Sequence, residues 1–164
     1  MSFKTTDLCD SNEGRVHVVD PVFKTYGRHM RFGGAIATVK VFEDNVLVRD
    51  ALSEAGNGRV LVVDGGGSLR CALVGGLIAQ LAEKNGWTGI IVYGCVRDAD
   101  EINACAIGVR ALNTHPRKSV KKGAGDRNLA VTFAGVTFIP DHYLYADEDG
   151  VIIAPLRLQS PSRP

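Results

Sequence analysis

The chain has 164 residues, 45% of them hydrophobic and 23% charged, with a formal net charge of +1. That length suits one domain with a real core, and that composition excludes an intrinsically disordered chain. Near-neutrality excludes a global pull toward nucleic acid or anionic lipid, so direct nucleic-acid or membrane binding is not expected.

The N-terminal stretch MSFKTTDLCDSNEGR is polar and carries no apolar signal core. No run is long enough to span a bilayer, so a cytoplasmic protein is expected. Cys9, Cys71, Cys95 and Cys105 form no CxxC pair and read as reduced thiols. His17, His29, His115 and His142 are scattered without zinc-ligand spacing. The first third reads as short strand-like runs alternating with turns. Gly33 to Phe42 has a strand's two-residue period. Glu43 to Arg59 reads as a turn and a short helix ending near Gly56. Val60 to Val63 is a buried strand that stops at Asp64.

A helix is expected from Gly75-Gly76, with Leu77, Ile78, Leu81 and Ala82 at helical spacing and Asn85-Gly86 as its stop. TGIIVYG, 88–94, is the next buried strand, ADEINACAIG, 99–108, a short helix, and VRALNTHP, 109–116, another strand. From Leu129 the texture changes to strands and turns, with ADEDG, 146–150, as a hairpin turn. RLQSPSRP, 157–164, reads as a loose tail. Two βαβ-like crossovers flanked by antiparallel strands predict one mixed α/β domain over 1–164, with a site where a strand's C-terminus turns into a helix.

Four segments carry candidate chemistry. At Gly75, Gly76, Leu77 and Ile78 the free amides of a helix start offer a close approach to a small anion; the alternative is that the glycines only permit close packing. Arg97-Asp98 places a planar cation suited to carboxylates beside a hard oxygen donor suited to Mg²⁺ or Mn²⁺; the alternative is an Asp98 helix cap beside a solvated Arg97. The Gly-rich DGGGSLR, 64–70, lacks a nucleotide-binding pattern and reads as a tight, flexible turn. RKSVKKGAGDR, 117–127, gathers five cations and reads as a solvated loop.

Taken together, Gly76, Arg97-Asp98 and Glu101 spell G-x20-R-D-x2-E. This pattern resembles the RraA-like family, also known as 4-hydroxy-4-methyl-2-oxoglutarate aldolases of the class II pyruvate type. FGGAIATVKVFEDN, GRVLVVDGGGSLRCALVGG, NGWTGIIVYGCVRD and VTFAGVTFIPDHYLYADEDGVII extend the likeness over nearly the whole chain. The resemblance implies a compact β/β/α sandwich, akin to swivelling phosphohistidine domains, assembled as a homotrimer with sites near subunit boundaries. It implies a divalent metal cation held by Asp98, substrate bound by Arg97 and by the backbone of Gly75 to Ile78, and a catalytic set of Arg97, Asp98 and Glu101. The implied reaction is retro-aldol cleavage of 4-hydroxy-4-methyl-2-oxoglutarate to pyruvate, with oxaloacetate decarboxylation through the same enolate. The family also includes inhibitors of ribonuclease E, which tend to lack the acid after the arginine; this chain keeps it. Some aldolases of the family carry an acid where this chain has Gly76, and Glu101 is the residue placed to supply that charge instead.

Overall fold

The computed structural model describes residues 2–161. Its central strands are near-continuous apolar runs because both of their faces are covered. β3 (Phe32–Lys40), β4 (Val60–Asp64), β6 (Gly89–Val96) and β7 (Gly108–Thr114) lie side by side and parallel in that order. The helices α2 (Val46–Leu52), α3 (Gly76–Lys84) and α4 (Ala99–Ala104) connect them, one crossover more than the two expected.

Alternation along the strands separates two cores. Val39, Leu61, Val63, Ile90 and Val92 pack against Val48, Leu52, Ile78, Ala82 and Ile102 of the helices. Ile36, Val60, Val62 and Ile91 pack on the other face against a second β layer. That layer holds the hairpin of β9 (Val131–Phe133) and β10 (Val136–Phe138), together with β11 (Tyr143–Ala146) and β12 (Val151–Ala154). The outcome is the expected mixed α/β fold with β, β and α layers.

β3 is long enough to serve both β layers. Phe32 to Ala35 pair antiparallel with β11, and Ile36 to Lys40 pair parallel with β4. The hairpin expected at 146–150 forms, with Ala146 opposite Val151. Short strands finish the edges: β1 (His17–Val18) on β12, β2 (Lys24–Tyr26) on β7, and β8 (Asp126–Arg127) on β3. Gly89 and Gly108 are register partners, and a Cβ on either would overlap the fully buried Phe32 ring. Their bare backbones form the slot for that ring.

Three expectations are corrected. The N-terminal stretch contains a helix, α1 (Thr5–Ser11), where only strand-like runs and turns were expected. Seven residues cannot sustain a helix alone; Leu8 is fully buried and the Phe3 ring meets Tyr145 edge-on at 5.2 Å. The helix expected over 99–108 ends at Ala104, because the amides of Arg28 and His29 bond to the carbonyls of Cys105 and Ile107 and draw that stretch into extended pairing. A strand, β5 (Ala72–Val74), precedes the Gly75-Gly76 helix where none was foreseen. In the expected tail, the Leu158 amide donates to the Tyr145 hydroxyl at 2.8 Å, while 162–164 lie outside the described residues. No helix among the described residues is long and apolar enough to cross a membrane.

Asp147 anchors α1. Its carboxylate accepts the Thr5 amide and the Thr5 hydroxyl, both at 2.7 Å, and the Asp149 amide at 3.0 Å. The buried Arg110 lies close by, donating to the Met30 and Asp147 carbonyls and covering the Phe32 ring at 5.2 Å. Burial pushes the Asp147 carboxyl up, but the Thr5 and Asp149 hydrogen bonds outweigh it and hold the group below its ordinary value. A carboxyl depressed in the folded state stabilises the fold above its unfolded value, about pH 4, and that contribution is lost as pH falls through the folded value. Asp147→Ala is expected to cost about 3 kcal/mol, since it strands the two buried Thr5 donors and the part-buried Asp149 amide. Chemical denaturation between pH 7 and pH 3 checks this: the difference between wild type and variant should shrink toward the acid end.

Candidate active site

The site is built by strand replacement along one edge of β6. β7 covers the other edge through Val96. β4 covers the near edge only as far as Tyr93, and β5 then takes its place, with Ala72 opposite Cys95 and Val74 opposite Val96. The Arg97 amide continues the ladder by donating to the Val74 carbonyl at 2.9 Å. Gly75 and Gly76 therefore leave β5 directly beside Arg97 and Asp98 leaving β6. The long spacing between Gly76 and Arg97 is the length of one crossover through α3 and back along β6.

Asp98 has left-handed backbone angles, φ 54° and ψ 48°, which aspartate tolerates better than most residues. It occupies the N-cap position of α4 without capping that helix. Its Oδ2 instead accepts the Gly76 amide at 3.1 Å, at the start of α3, where the helix dipole favours an anion. The helix-cap alternative is thus replaced by a contact across two elements. Glu101, one turn into α4, packs on the same glycine. A Cβ at Gly76 would overlap Glu101 Oε2 and lie 2.8 Å from the Glu101 Cβ. Gly76 has no positive φ, so its glycine is required for room.

Gly75 is extended, at φ −120° and ψ −170°, and a Cβ there would stand 2.9 Å from Asp98 Oδ2 and 3.5 Å from Arg97 Cγ. The half-buried Arg97 runs along Gly75, and Asp98 and Glu101 are exposed. Among the described residues none of the three forms a salt bridge with another charged group. The first helical bond of α3 runs from the Ala79 amide to Gly75. With the Gly76 amide taken by Asp98, the Leu77 and Ile78 amides are the first-turn donors left without an intrahelical acceptor. All the candidate residues therefore meet at one place: two carboxylates, one guanidinium and a helix start. Surface grooves along His17, Ala154 and Pro155 lie elsewhere, and the cluster stands open at the end of the sheet.

Sequence reasoning missed the residues that hold this end of the sheet together. The His115 amide donates to the Val96 carbonyl at 2.9 Å, and the Arg117 carbonyl accepts the Ala72 amide at 2.8 Å. The basic run 117–127 is thereby fastened down. The buried Asp44 carboxylate accepts the Lys122 amide at 2.9 Å and the Ala124 amide at 3.2 Å. The Gly-rich turn is also pinned, because Ser68 Oγ and Arg70 Nε donate to Glu43 Oε1 at 2.7 and 2.6 Å. The motif EDN, Glu43 to Asn45, was the available signal, but its partners are far away in sequence. The four cysteines are free thiols, and burial pushes Cys71, Cys95 and Cys105 above the ordinary thiol value.

Among the described residues no cluster of three or more His, Cys, Asp or Glu is arranged to hold a metal ion. The donors at the site are the Asp98 carboxylate with Glu101 nearby. Such a set fits a hard divalent cation such as Mg²⁺, which binds through one or two carboxylates and completes its shell with water and substrate oxygens. It does not fit a closed structural zinc site.

This architecture and this cluster define a β/β/α protein whose charged site sits where two parallel strands end together. The family described as RraA-like, Aldolase/RraA, matches residues 5–153, and the chain belongs to it. A relative from Dechloromonas aromatica, provisionally named 4-hydroxy-4-methyl-2-oxoglutarate aldolase, is 61% identical over 158 residues, covering 94% of this chain and 97% of the relative. The solved RNA-processing inhibitor RraA from Thermus thermophilus is 45% identical, with a TM-score of 0.93 over 97% of this chain and 96% of its own. A Geobacillus kaustophilus structure described as S-adenosylmethionine:2-dimethylmenaquinone methyltransferase is 50% identical, also at 0.93, over 95% of this chain and 97% of its own.

The packing on Gly76 yields a test. In Gly76→Val the branched side chain meets Glu101 Cβ as well as its mobile carboxylate, so α4 must shift and ligand binding at α3 should weaken strongly. Gly76→Asp combined with Glu101→Gly puts a carboxylate back into the space that the whole Glu101 side chain, its Cβ included, vacates. The expected order of kcat/KM on a 2-oxo acid substrate is wild type, then the double variant, then Glu101→Gly and Gly76→Val. A double variant no better than Glu101→Gly would separate the carboxylate from the chemistry.

Proposed function

We propose that the protein is a divalent-metal-dependent carbon–carbon lyase, which cleaves 4-hydroxy-4-methyl-2-oxoglutarate by a retro-aldol reaction and decarboxylates oxaloacetate. The observation that carries the reading is the meeting of Arg97, Asp98 and Glu101 on Gly75-Gly76 at the start of α3. The aldolase names of relatives about 60% identical support the same class.

Both reactions pass through a pyruvate enolate. In the retro-aldol case a base takes the C4 hydroxyl proton, the C3–C4 bond breaks, and its electron pair moves onto the 2-oxo group. One pyruvate leaves as a ketone, and the enolate is protonated to give the second. In oxaloacetate the bond to the 4-carboxylate breaks instead and CO₂ leaves. The Leu77 and Ile78 amides bind the substrate's 1-carboxylate at the helix start. The Arg97 guanidinium faces the oxygen on which enolate charge grows, where a fixed cation stabilises the transition state more than the ground state. Asp98 would hold Mg²⁺ or Mn²⁺, and such a cation, when bound, supplies Lewis-acid stabilisation of that oxygen. Glu101 stands beside Asp98 as the proton-handling group.

The site is open in the single chain, and exposed Phe42, Leu69, Leu77 and Val120 belong to segments at this end of the parallel strands. Such a rim suits a homotrimer in which a neighbouring copy covers the site. A second reading, supported by the Thermus relative described as an RNA-processing inhibitor, is inhibition of a ribonuclease E-type enzyme by protein contact. Pyruvate release from both substrates, with Mg²⁺ and with a chelator, tests the lyase; inhibition of the nuclease that survives Asp98→Ala would favour the second reading.

Asp98→Ala is expected to abolish metal-dependent turnover and to weaken Mn²⁺ binding measured by electron paramagnetic resonance, with the circular dichroism spectrum unchanged. Full activity at low Mg²⁺ would remove Asp98 from the metal.

Arg97→Lys keeps the charge but loses the planar fork. It is expected to lower kcat/KM by about a hundredfold, the order of loss when one preorganised charge-stabilising donor is removed. Steady-state kinetics on oxaloacetate checks this, and near-normal values would make Arg97 a solvated surface residue.

A further inference from the structure

The turn after β3 contains three consecutive polar residues, which together bind the Gly-rich turn, β5 and the basic run around the site. Glu43, at φ 58°, accepts Ser68 Oγ and Arg70 Nε from the Gly-rich turn that follows β4. Its carbonyl accepts the Val120 amide at 3.0 Å. Asp44 is 2% exposed. Its Oδ1 accepts the Val46 amide at the start of α2, and its Oδ2 accepts the Lys122 and Ala124 amides of the basic run. Asn45 is 8% exposed. Its Nδ2 donates to the Leu73 carbonyl of β5 at 3.2 Å, and its Oδ1 accepts Lys121 Nζ at 2.9 Å.

The Asn45 contact matters most. β5 is three residues long and is flanked on one side by β6. Its remaining backbone groups are met by the Arg117 carbonyl at the Ala72 amide and by Asn45 at Leu73. Two residues beyond Leu73 the chain reaches Gly75 and enters α3. β6 holds one edge of this short strand, so on the other edge the Asn45 side chain and the Arg117 carbonyl fix where it lies, and a shift of β5 there carries the α3 amides with it.

We propose that Glu43-Asp44-Asn45 is the positioning element of the site, with Asn45 setting the placement of β5 and hence of the carboxylate-binding amides at the start of α3. Glu43 and Asp44 hold the two flanking loops in the arrangement that keeps Asn45 buried. None of the three is bonded to Arg97, Asp98 or Glu101; they act through β5. The inference rests on the reading of the α3 start as a substrate carboxylate site.

The test compares wild type, Asn45→Asp, Asn45→Ala and Thr5→Ala. Asn45→Asp is isosteric and keeps an acceptor for Lys121 but has no donor for Leu73. Thr5→Ala removes one hydrogen bond to Asp147 at the α1 anchor and controls for general loss of stability. Two readouts are taken: amide hydrogen exchange over Leu73 to Ile78, and KM and kcat for oxaloacetate with Mg²⁺. Both Asn45 variants should exchange faster over Leu73 to Ile78. Each should raise KM about tenfold, the loss expected for one positioning hydrogen bond of ordinary strength, with a smaller change in kcat. Thr5→Ala should lower Tm and leave both readouts near wild type. Unchanged exchange in Asn45→Asp overturns the positioning role, and so does an equal rise in KM in Thr5→Ala. If wild type releases no pyruvate with any divalent metal, the lyase reading fails, and the exchange arm still decides whether Asn45 holds β5.

Discussion

The arrangement of this protein's charged site depends on the pairing of β5 with the last residues of β6. Only two register pairs join them, Ala72 with Cys95 and Val74 with Val96. Yet that pairing aligns the end of one strand with the end of the other, so Gly75-Gly76 and Arg97-Asp98 emerge together. Without it the start of α3 would have no fixed relation to Arg97. Asp98 then locks the junction from the side by accepting the Gly76 amide at 3.1 Å. The left-handed backbone of Asp98 is the local strain that turns its carboxylate back toward α3 instead of into its own helix.

The charges divide into two populations. Buried ones are held mainly by backbone donors or carbonyls: Asp44 by the Val46, Lys122 and Ala124 amides, Asp147 by Thr5 and Asp149, and Arg110 through Nη2 by the carbonyls of Met30 and Asp147, its buried Nη1 having no hydrogen-bond partner among the described residues. These tie distant segments together, and their loss would leave polar groups stranded in the interior. Arg97, Asp98 and Glu101 are different. Like charges meet there and the cation is left outside any ion pair among the described residues. A chain can tolerate that arrangement where water still reaches the groups. Such a cluster is also where a ligand with its own charge gains most from binding.

Gly76 shows how the two levels of reading differ. A pair of glycines before an apolar helical run reads equally well as a ligand approach or as close packing. In the structure the glycine is needed for packing: what packs on it is the Glu101 side chain, and what binds its amide is Asp98. The same residue that would narrow an anion cradle leaves Leu77 and Ile78 as the open donors.

The likeness to the RraA-like family grouped Gly76, Arg97, Asp98 and Glu101, and the sequence by itself determined the apolar central strands, the α3 helix with its Asn85-Gly86 stop and the 146–150 hairpin. Those features rest on local period, turn chemistry and spacing, which one chain segment carries alone. Only the tertiary structure decided α1, β5 and the Glu43-Asp44-Asn45 turn. A seven-residue polar helix exists because Leu8 finds a core and Thr5 finds Asp147, 142 positions away. A three-residue strand exists because β6 outruns β4 and leaves an edge to be filled. Glu43, Asp44 and Asn45 read as an ordinary turn until their partners at 68–73 and 121–124 come within hydrogen-bonding reach. Their energies come from contacts between segments far apart in the chain, and no local pattern encodes a partner that folding alone brings near.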